Sequence, residues 1–227
     1  MKGKIIVIEG TDCSGKETQT SLLVQRLRKE GKRIERFSFP NYESPTGRII
    51  GGSFLGKDYI GRCVFPEGPA EVDPKVSVLY YAADRRYNIS KIKEYLDSGI
   101  DVILDRYVES NMACQGGKIL DKEERFKMYE ELDRLEYGFL ELPRPDLTIL
   151  LYMPYEKSKE LRRGRIEESD LVESSPIYLK NSERSYLELA ELHNYKKVDC
   201  VGKKKQLRDI EDIQEEVYNI VVEELSK

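Results

Sequence analysis

No stretch of this 227-residue chain approaches the ~18 consecutive apolar residues of a membrane span; the longest apolar runs, such as Ile5-Ile6-Val7-Ile8, have the length of a strand. The opening Met1-Lys2-Gly3-Lys4 passes through a short apolar run into charge, so no secretory signal is expected. Histidine is nearly absent. His193 stands alone, which leaves no basis for a His/Cys zinc site, and with no Gly-x-Ser-x-Gly turn there is none for a Ser-His-Asp hydrolase. The four cysteines, Cys13, Cys63, Cys114 and Cys200, are scattered, which speaks against a disulfide framework and for reduced thiols in a cytoplasmic protein. A basic excess is missing too: 38 Lys and Arg against 42 Asp and Glu leave a net charge of −4, so bulk nucleic-acid binding is not expected. What is present, 39% hydrophobic residues in a chain of this length, suffices for one large α/β domain.

Strand-like and helix-like segments alternate. Lys4 to Ile8 is β-branched and apolar, hence a buried strand, and Gly10 to Gly15 a loop. Lys16 to Glu30 carries Leu22, Leu23 and Leu27 at helical spacing, with Gly31 as its end. Strands are expected at Arg33–Phe39, Asp101–Leu104, Leu147–Tyr152 and, weakly, Lys197–Val201. Helices are expected at Gly47–Leu55, from Asp73-Pro74 to about Leu96, at Asp121–Tyr137, Tyr155–Arg163, Pro176–Tyr195 and Leu207–Leu225. Repeated βα units whose strands lack polar alternation predict a doubly wound five-stranded parallel sheet with helices on both faces, as in P-loop NTP hydrolases, with ligands beyond the carboxyl ends of the strands.

Gly10-Thr11-Asp12-Cys13-Ser14-Gly15-Lys16-Glu17-Thr18 ends the first strand and opens the first helix. Backbone N–H groups and a helix dipole meet there, a ready seat for a triphosphate, with Lys16 as a point charge on the β and γ phosphates. Two residues depart from the usual loop. Glu17 occupies the place of the hydroxyl that holds Mg²⁺, so metal binding shifts to Thr18 or to carboxylates, or is weak. Asp12 is a carboxylate within a phosphate site, and suits a hydrated Mg²⁺ or a sugar hydroxyl instead. At the end of the third strand Asp105-Arg106 offers a two-pronged phosphate clamp in Arg106, with Asp105 either binding Mg²⁺ through water or holding Arg106.

The chain resembles the thymidylate kinases, which convert dTMP to dTDP with ATP. The resemblance rests on the phosphate loop with its aspartate, on Phe39-Pro40-Asn41-Tyr42, on Tyr81-Ala82-Ala83-Asp84-Arg85, and most on Asp105-Arg106-Tyr107-Val108-Glu109-Ser110-Asn111-Met112-Ala113-Cys114-Gln115-Gly116. It implies that Phe39 and Pro40 line the thymine pocket, that Tyr81 stacks on the base, and that Arg85 and Asn111 hydrogen-bond it. It also implies that Tyr42 and Arg106 contact the dTMP phosphate, and that Asp12 meets the 3′-hydroxyl and hydrated Mg²⁺. Ser110 and Gln115 complete the segment. Cys114 stands where an aromatic is expected against C2′ of the sugar, which implies relaxed discrimination against ribonucleotides.

The basic run Arg162-Arg163-Gly164-Arg165 precedes a polar stretch, and a lid is expected at about 163–176 of the single domain 1–227. The phosphate loop carries no arginine, so the resemblance implies a catalytic lid arginine, Arg163 or Arg165. It also implies an acidic lid pair, Asp170 and Glu173, with Glu173 near the metal. A homodimer follows from the family. Two other functions stay open at this point: another nucleotide or deoxynucleoside kinase, and a non-catalytic nucleotide-sensing P-loop protein.

Overall fold

The computed structural model describes residues 2–162 and 175–227. Five strands, β1 (Ile5–Gly10), β2 (Ile34–Ser38), β3 (Asp101–Asp105), β4 (Leu147–Tyr152) and β5 (Lys196–Asp199), form one sheet in the order β2-β3-β1-β4-β5. Every pairing is parallel, with Val7 opposite Leu104 on one side and Thr148 on the other. The doubly wound parallel sheet read from the sequence is therefore the observed one. The chain leaves β1 toward β2 and β3, then crosses to β4 and β5 on the far side. The carboxyl end of β1 is the switch point, where open α/β sheets bind ligands.

The strand residues divide by parity between two apolar layers. Ile5, Val7, Val102, Leu104 and Leu150 pack against α3 (Pro74–Asp97), α4 (Val108–Gly116), α5 (Lys122–Asp133) and α7 (Pro176–Leu192). Ile6, Ile8, Ile103, Ile149 and Leu151 pack against α1 (Lys16–Lys29) and α8 (Ile210–Leu225). Burial on both faces explains why these strands read as continuous apolar runs. The remaining short helices are α2 (Pro45–Ile49) and α6 (Tyr155–Arg162).

The structure corrects several boundaries. The helix expected from Gly47 begins two residues earlier, because Ser44 Oγ accepts from Gly47 N at 3.0 Å and Pro45 takes the first turn. It continues as a π-helical turn, Ile50–Phe54. The helix from Asp121 is capped as expected, Asp121 accepting from Glu124 N at 2.9 Å, but passes into a second π-helical turn, Arg134–Phe139. Helix α4 was not expected from the sequence. Its own N-cap residue, Tyr107, provides no side-chain cap. Glu9 of β1 does so instead: its buried carboxylate accepts from Tyr107 N at 2.8 Å and Ser110 N at 3.0 Å.

Candidate active site

The phosphate loop occupies the carboxyl end of β1. A Cβ on Gly10 would stand 2.4 Å from Ser14 Oγ and 2.8 Å from Leu151 O, so only glycine fits between the loop and β4. Cys13 and Gly15 take left-handed backbone, φ 56° and 75°, folding the chain tightly before α1. Thr11 Oγ1 donates to Met153 O at 2.7 Å and accepts from Met153 N at 2.8 Å, locking the loop to the end of β4. No side chain caps α1, leaving its first N–H groups to an incoming anion. Ser14 Oγ is buried and has no hydrogen-bond partner.

Lys16 is half-buried, and its ammonium donates to Thr11 O at 3.3 Å. Burial, and then the charge of Arg106, pull its pKa down to about 8 against the opposing carboxylates of Asp105, Glu9 and Asp12. Arg106 has φ 67° and directs Nη1 toward Ser110 Oγ at 3.4 Å and Tyr186 Oη at 3.3 Å. Burial alone would lower its pKa, but Tyr186, Glu9, Cys114 and Asp105 together raise it, so it stays charged. Asp105 does not hold Arg106 by an ion pair: its carboxylate meets Arg36 of β2 at 3.1 Å. Glu17 and Thr18 are exposed on α1 and line no part of the cleft described next.

A cleft of about 260 Å³ opens beside the loop. Its walls contain Phe39, Pro40, Tyr42, Tyr81, Arg85, Arg106, Ser110, Asn111, Cys114 and Gln115, every residue assigned to the acceptor nucleotide from the sequence. Gly10, Thr11 and Asp12 also line it, so the loop and the acceptor pocket are continuous. Arg85 is buried and gripped by Glu136 of the second π-helical turn, Nε to Oε2 at 2.6 Å and Nη2 to Oε1. Asn111 Nδ2 donates to the same Glu136 Oε1 at 2.8 Å, and Asn111 Oδ1 is buried without a partner, as is Gln115 Oε1. Tyr81 lies edge-on to Phe54, rings 5.7 Å apart. Tyr178 of α7 faces the cleft together with Cys114.

Sequence reasoning missed several residues of the site. Glu136 and Glu9, each fully buried, carry no local signal. Asp84, quoted only within a motif, accepts from Asn41 N at 2.8 Å, Ser44 Oγ at 2.9 Å and Thr46 Oγ1 at 2.7 Å, fixing the turn that presents Tyr42. Arg162, the last residue of α6, reaches Asp12 at 3.1 Å. Arg163, Arg165, Asp170 and Glu173 lie outside the described residues, as does the expected lid apart from Ser175 and Pro176.

Among the described residues no three His, Cys, Asp or Glu side chains cluster as a metal cage. Magnesium does not require one, since it keeps several waters and takes one or two carboxylates with substrate phosphates. Asp12 and Asp105 close to Lys16, with the unpartnered Ser14 Oγ in the loop, fit such a hydrated ion.

A family model described as "Thymidylate kinase" matches residues 8–213. The "Thymidylate kinase" of Prochlorococcus marinus is 32% identical over 224 residues, covering 97% of this chain and 99% of the relative. That of Schizosaccharomyces pombe is 33% identical over 190 residues, 84% of this chain and 80% of the relative. The structure of thymidylate kinase from Candida albicans superposes with a TM-score of 0.71 at 23% identity, covering 97% of this chain and 91% of that one, a likeness of fold.

Proposed function

The chain belongs to the thymidylate kinase family, and on that footing we infer that the cleft seats dTMP while the phosphate loop holds ATP end to end with it. The enzyme is an ATP-dependent phosphotransferase that converts dTMP to dTDP. The observation that carries the assignment of the site is the convergence of all ten acceptor residues on one cleft whose end is the phosphate loop.

Each assigned residue has a chemical reason. Thymine is an imide: its N3–H is a donor flanked by carbonyls. The buried, unpartnered Asn111 Oδ1 accepts that proton, and the remaining N–H groups of Arg85 donate to a carbonyl. A buried acceptor left empty costs free energy, so a base that cannot donate at that position is rejected more strongly than one that merely lacks a methyl. Tyr81 stacks on the base, worth ~1–3 kcal/mol. Phe39 and Pro40 bound the methyl edge. Tyr42 and Arg106 hold the dTMP phosphate, and Lys16 the β and γ phosphates of ATP.

The acceptor is already a phosphate oxyanion, so no general base is needed. Catalysis is alignment and neutralisation of charge on the moving phosphoryl group. Bound Mg²⁺ would supply further neutralisation, held through water by Asp12 and Asp105, with Glu173 from the lid. Arg163 or Arg165 complete the positive surround when a lid at 163–176 closes within the single domain, and closure excludes the water that would hydrolyse ATP.

A second copy of the chain is the proposed partner. Val76, Leu79 and Tyr87 stand exposed on one face of α3, at helical spacing with exposed Ala83, and exposed Ile49 of α2 adds to the apolar surface, as a two-fold interface requires. No helix among the described residues is long and apolar enough to cross a membrane. None of the four cysteines is in a disulfide, which supports a cytoplasmic setting. A coupled assay across dTMP, dUMP, dCMP, AMP and thymidine tests the acceptor assignment: dTMP gives the highest kcat/KM and thymidine none, whereas turnover of thymidine would contradict it.

A further inference from the structure

Helix α7 presents one face to the cleft. Tyr178, Ser182 and Tyr186 recur there at four-residue spacing, and all three line the cleft wall. The helix is set closely against the end of α4. Arg184 Nη2 donates to Gly117 O at 3.1 Å, and a Cβ on Gly117 would stand 3.0 Å from Asn181 O. On the other side Tyr152 Oη donates to Glu183 Oε1 at 2.8 Å. The residues before and after Ser182 thus fix where it stands.

The two tyrosines mark the ends of the stretch. Tyr186 Oη lies at the phosphate end of the cleft, 3.3 Å from Arg106 Nη1 and 3.0 Å from Ser110 Oγ. Tyr178 lies toward the base end, where burial and then the neighbouring Cys114 and Tyr81 push its pKa well above the ordinary tyrosine range. Two helical turns, about 12 Å, separate the tyrosines, and Ser182 stands midway, about 6 Å along the axis from each. In a nucleoside monophosphate the piece between base and phosphate is the sugar.

Ser182 is 6% exposed, and its Oγ has no hydrogen-bond partner among the described residues. Ser77 and Ser98 return their hydroxyls to the carbonyl four residues back, at 3.1 and 2.8 Å, whereas Ser182 does not. A buried hydroxyl without a partner costs free energy until a ligand supplies one. A nucleotide sugar offers hydroxyls that both donate and accept. We propose that Ser182 Oγ hydrogen-bonds a sugar hydroxyl of the acceptor, which makes α7 part of the sugar site. The inference rests on the reading of the cleft as the dTMP site.

The test compares three ligands that differ only in sugar hydroxyls: dTMP, 3′-deoxythymidine monophosphate and ribothymidine monophosphate. Their binding is measured by calorimetry on the wild type, Ser182→Ala and Ser182→Cys. Loss of the hydroxyl is expected to weaken roughly three- to tenfold only those ligands that carry its partner. Weaker dTMP and ribothymidine monophosphate, with the 3′-deoxy compound unchanged, places the bond on the 3′-hydroxyl. Weaker ribothymidine monophosphate alone places it on the 2′-hydroxyl. Equal weakening of all three, or no change in any, overturns the proposal. The free Ser182→Ala protein is expected to unfold no more easily than the wild type, since a buried hydroxyl without a partner is removed. Cysteine keeps the size with only a weak donor, so the same pattern is expected should alanine disturb the packing. If the wild type binds none of the three, the reading of the cleft fails instead.

Discussion

Glu136 holds Arg85 with both carboxylate oxygens in a buried pair, one residue in a π-helical turn and the other in the middle of α3. Burial lowers the pKa of Arg85, but the paired charge of Glu136 outweighs it and the guanidinium stays charged. The same carboxylate orients Asn111. Breaking a buried pair from one side leaves an uncompensated charge, at a cost of ~3–5 kcal/mol. Glu136→Gln is therefore expected to lower stability in denaturant and to raise KM for dTMP by about tenfold or more, with KM for ATP little changed. A KM for dTMP near the wild-type value would remove Glu136 from the account of base recognition.

Lys16 supplies a pH signature. Its pKa in the free enzyme is drawn down to about 8, from 10.5. Below that value the ammonium is charged; above it the proton is lost before ATP arrives. Bound ATP is a polyanion and restores the charge, so the bound complex titrates higher. With dTMP well below its KM, so that the free enzyme is the form that meets ATP, kcat/KM for ATP should fall as pH rises through about 8, while kcat holds to higher pH. The linkage has a matching sign for stability. The lowered pKa disfavours the charged folded form, so this group's destabilising contribution is present below about pH 8 and is relieved as pH rises toward 10.5. A kcat/KM profile for ATP that stays flat between pH 7 and 9 would contradict the assignment.

Glu17 offers a test of how metal is held. It occupies the first turn of α1, exposed, where a hydroxyl is expected. If Mg²⁺ relies on water, carboxylates and phosphates, Glu17→Ser adds a ligand. The magnesium concentration for half-maximal activity should then fall by about tenfold, the scale of a change in the metal's immediate surroundings. An unchanged titration would show that position 17 lies away from the metal.

The parts of the molecule legible in the sequence are those whose cause is local. The β1 strand, the phosphate loop and α1 follow from a β-branched run, glycines at the tight positions and helical spacing of leucines. The long helix α3 announces itself by Asp73-Pro74, and Asp73 accepts from Lys75 N at 2.7 Å as expected. Helix α4 was silent because its cap, Glu9, comes from another strand. The two π-helical turns have no periodicity to read. In the site, the residues proposed to touch nucleotide lie in recognisable motifs, whereas Glu136, Asp84 and Glu9, which fix their surroundings, act across the fold. Arg162 was read as part of a basic run, and only the approach of α6 to the loop brings it to Asp12.

The central claim is that Lys16 and Arg106 face two phosphate chains laid head to head. A crystal structure with adenosine and thymidine joined through five phosphates tests it most directly. The account predicts the thymine between Tyr81 and Asn111, the adenosine-side phosphates on the N-terminus of α1, and the bridge spanning Lys16 and Arg106. A bridge lying away from both side chains, or a thymine outside the cleft of Arg85 and Asn111, would contradict it.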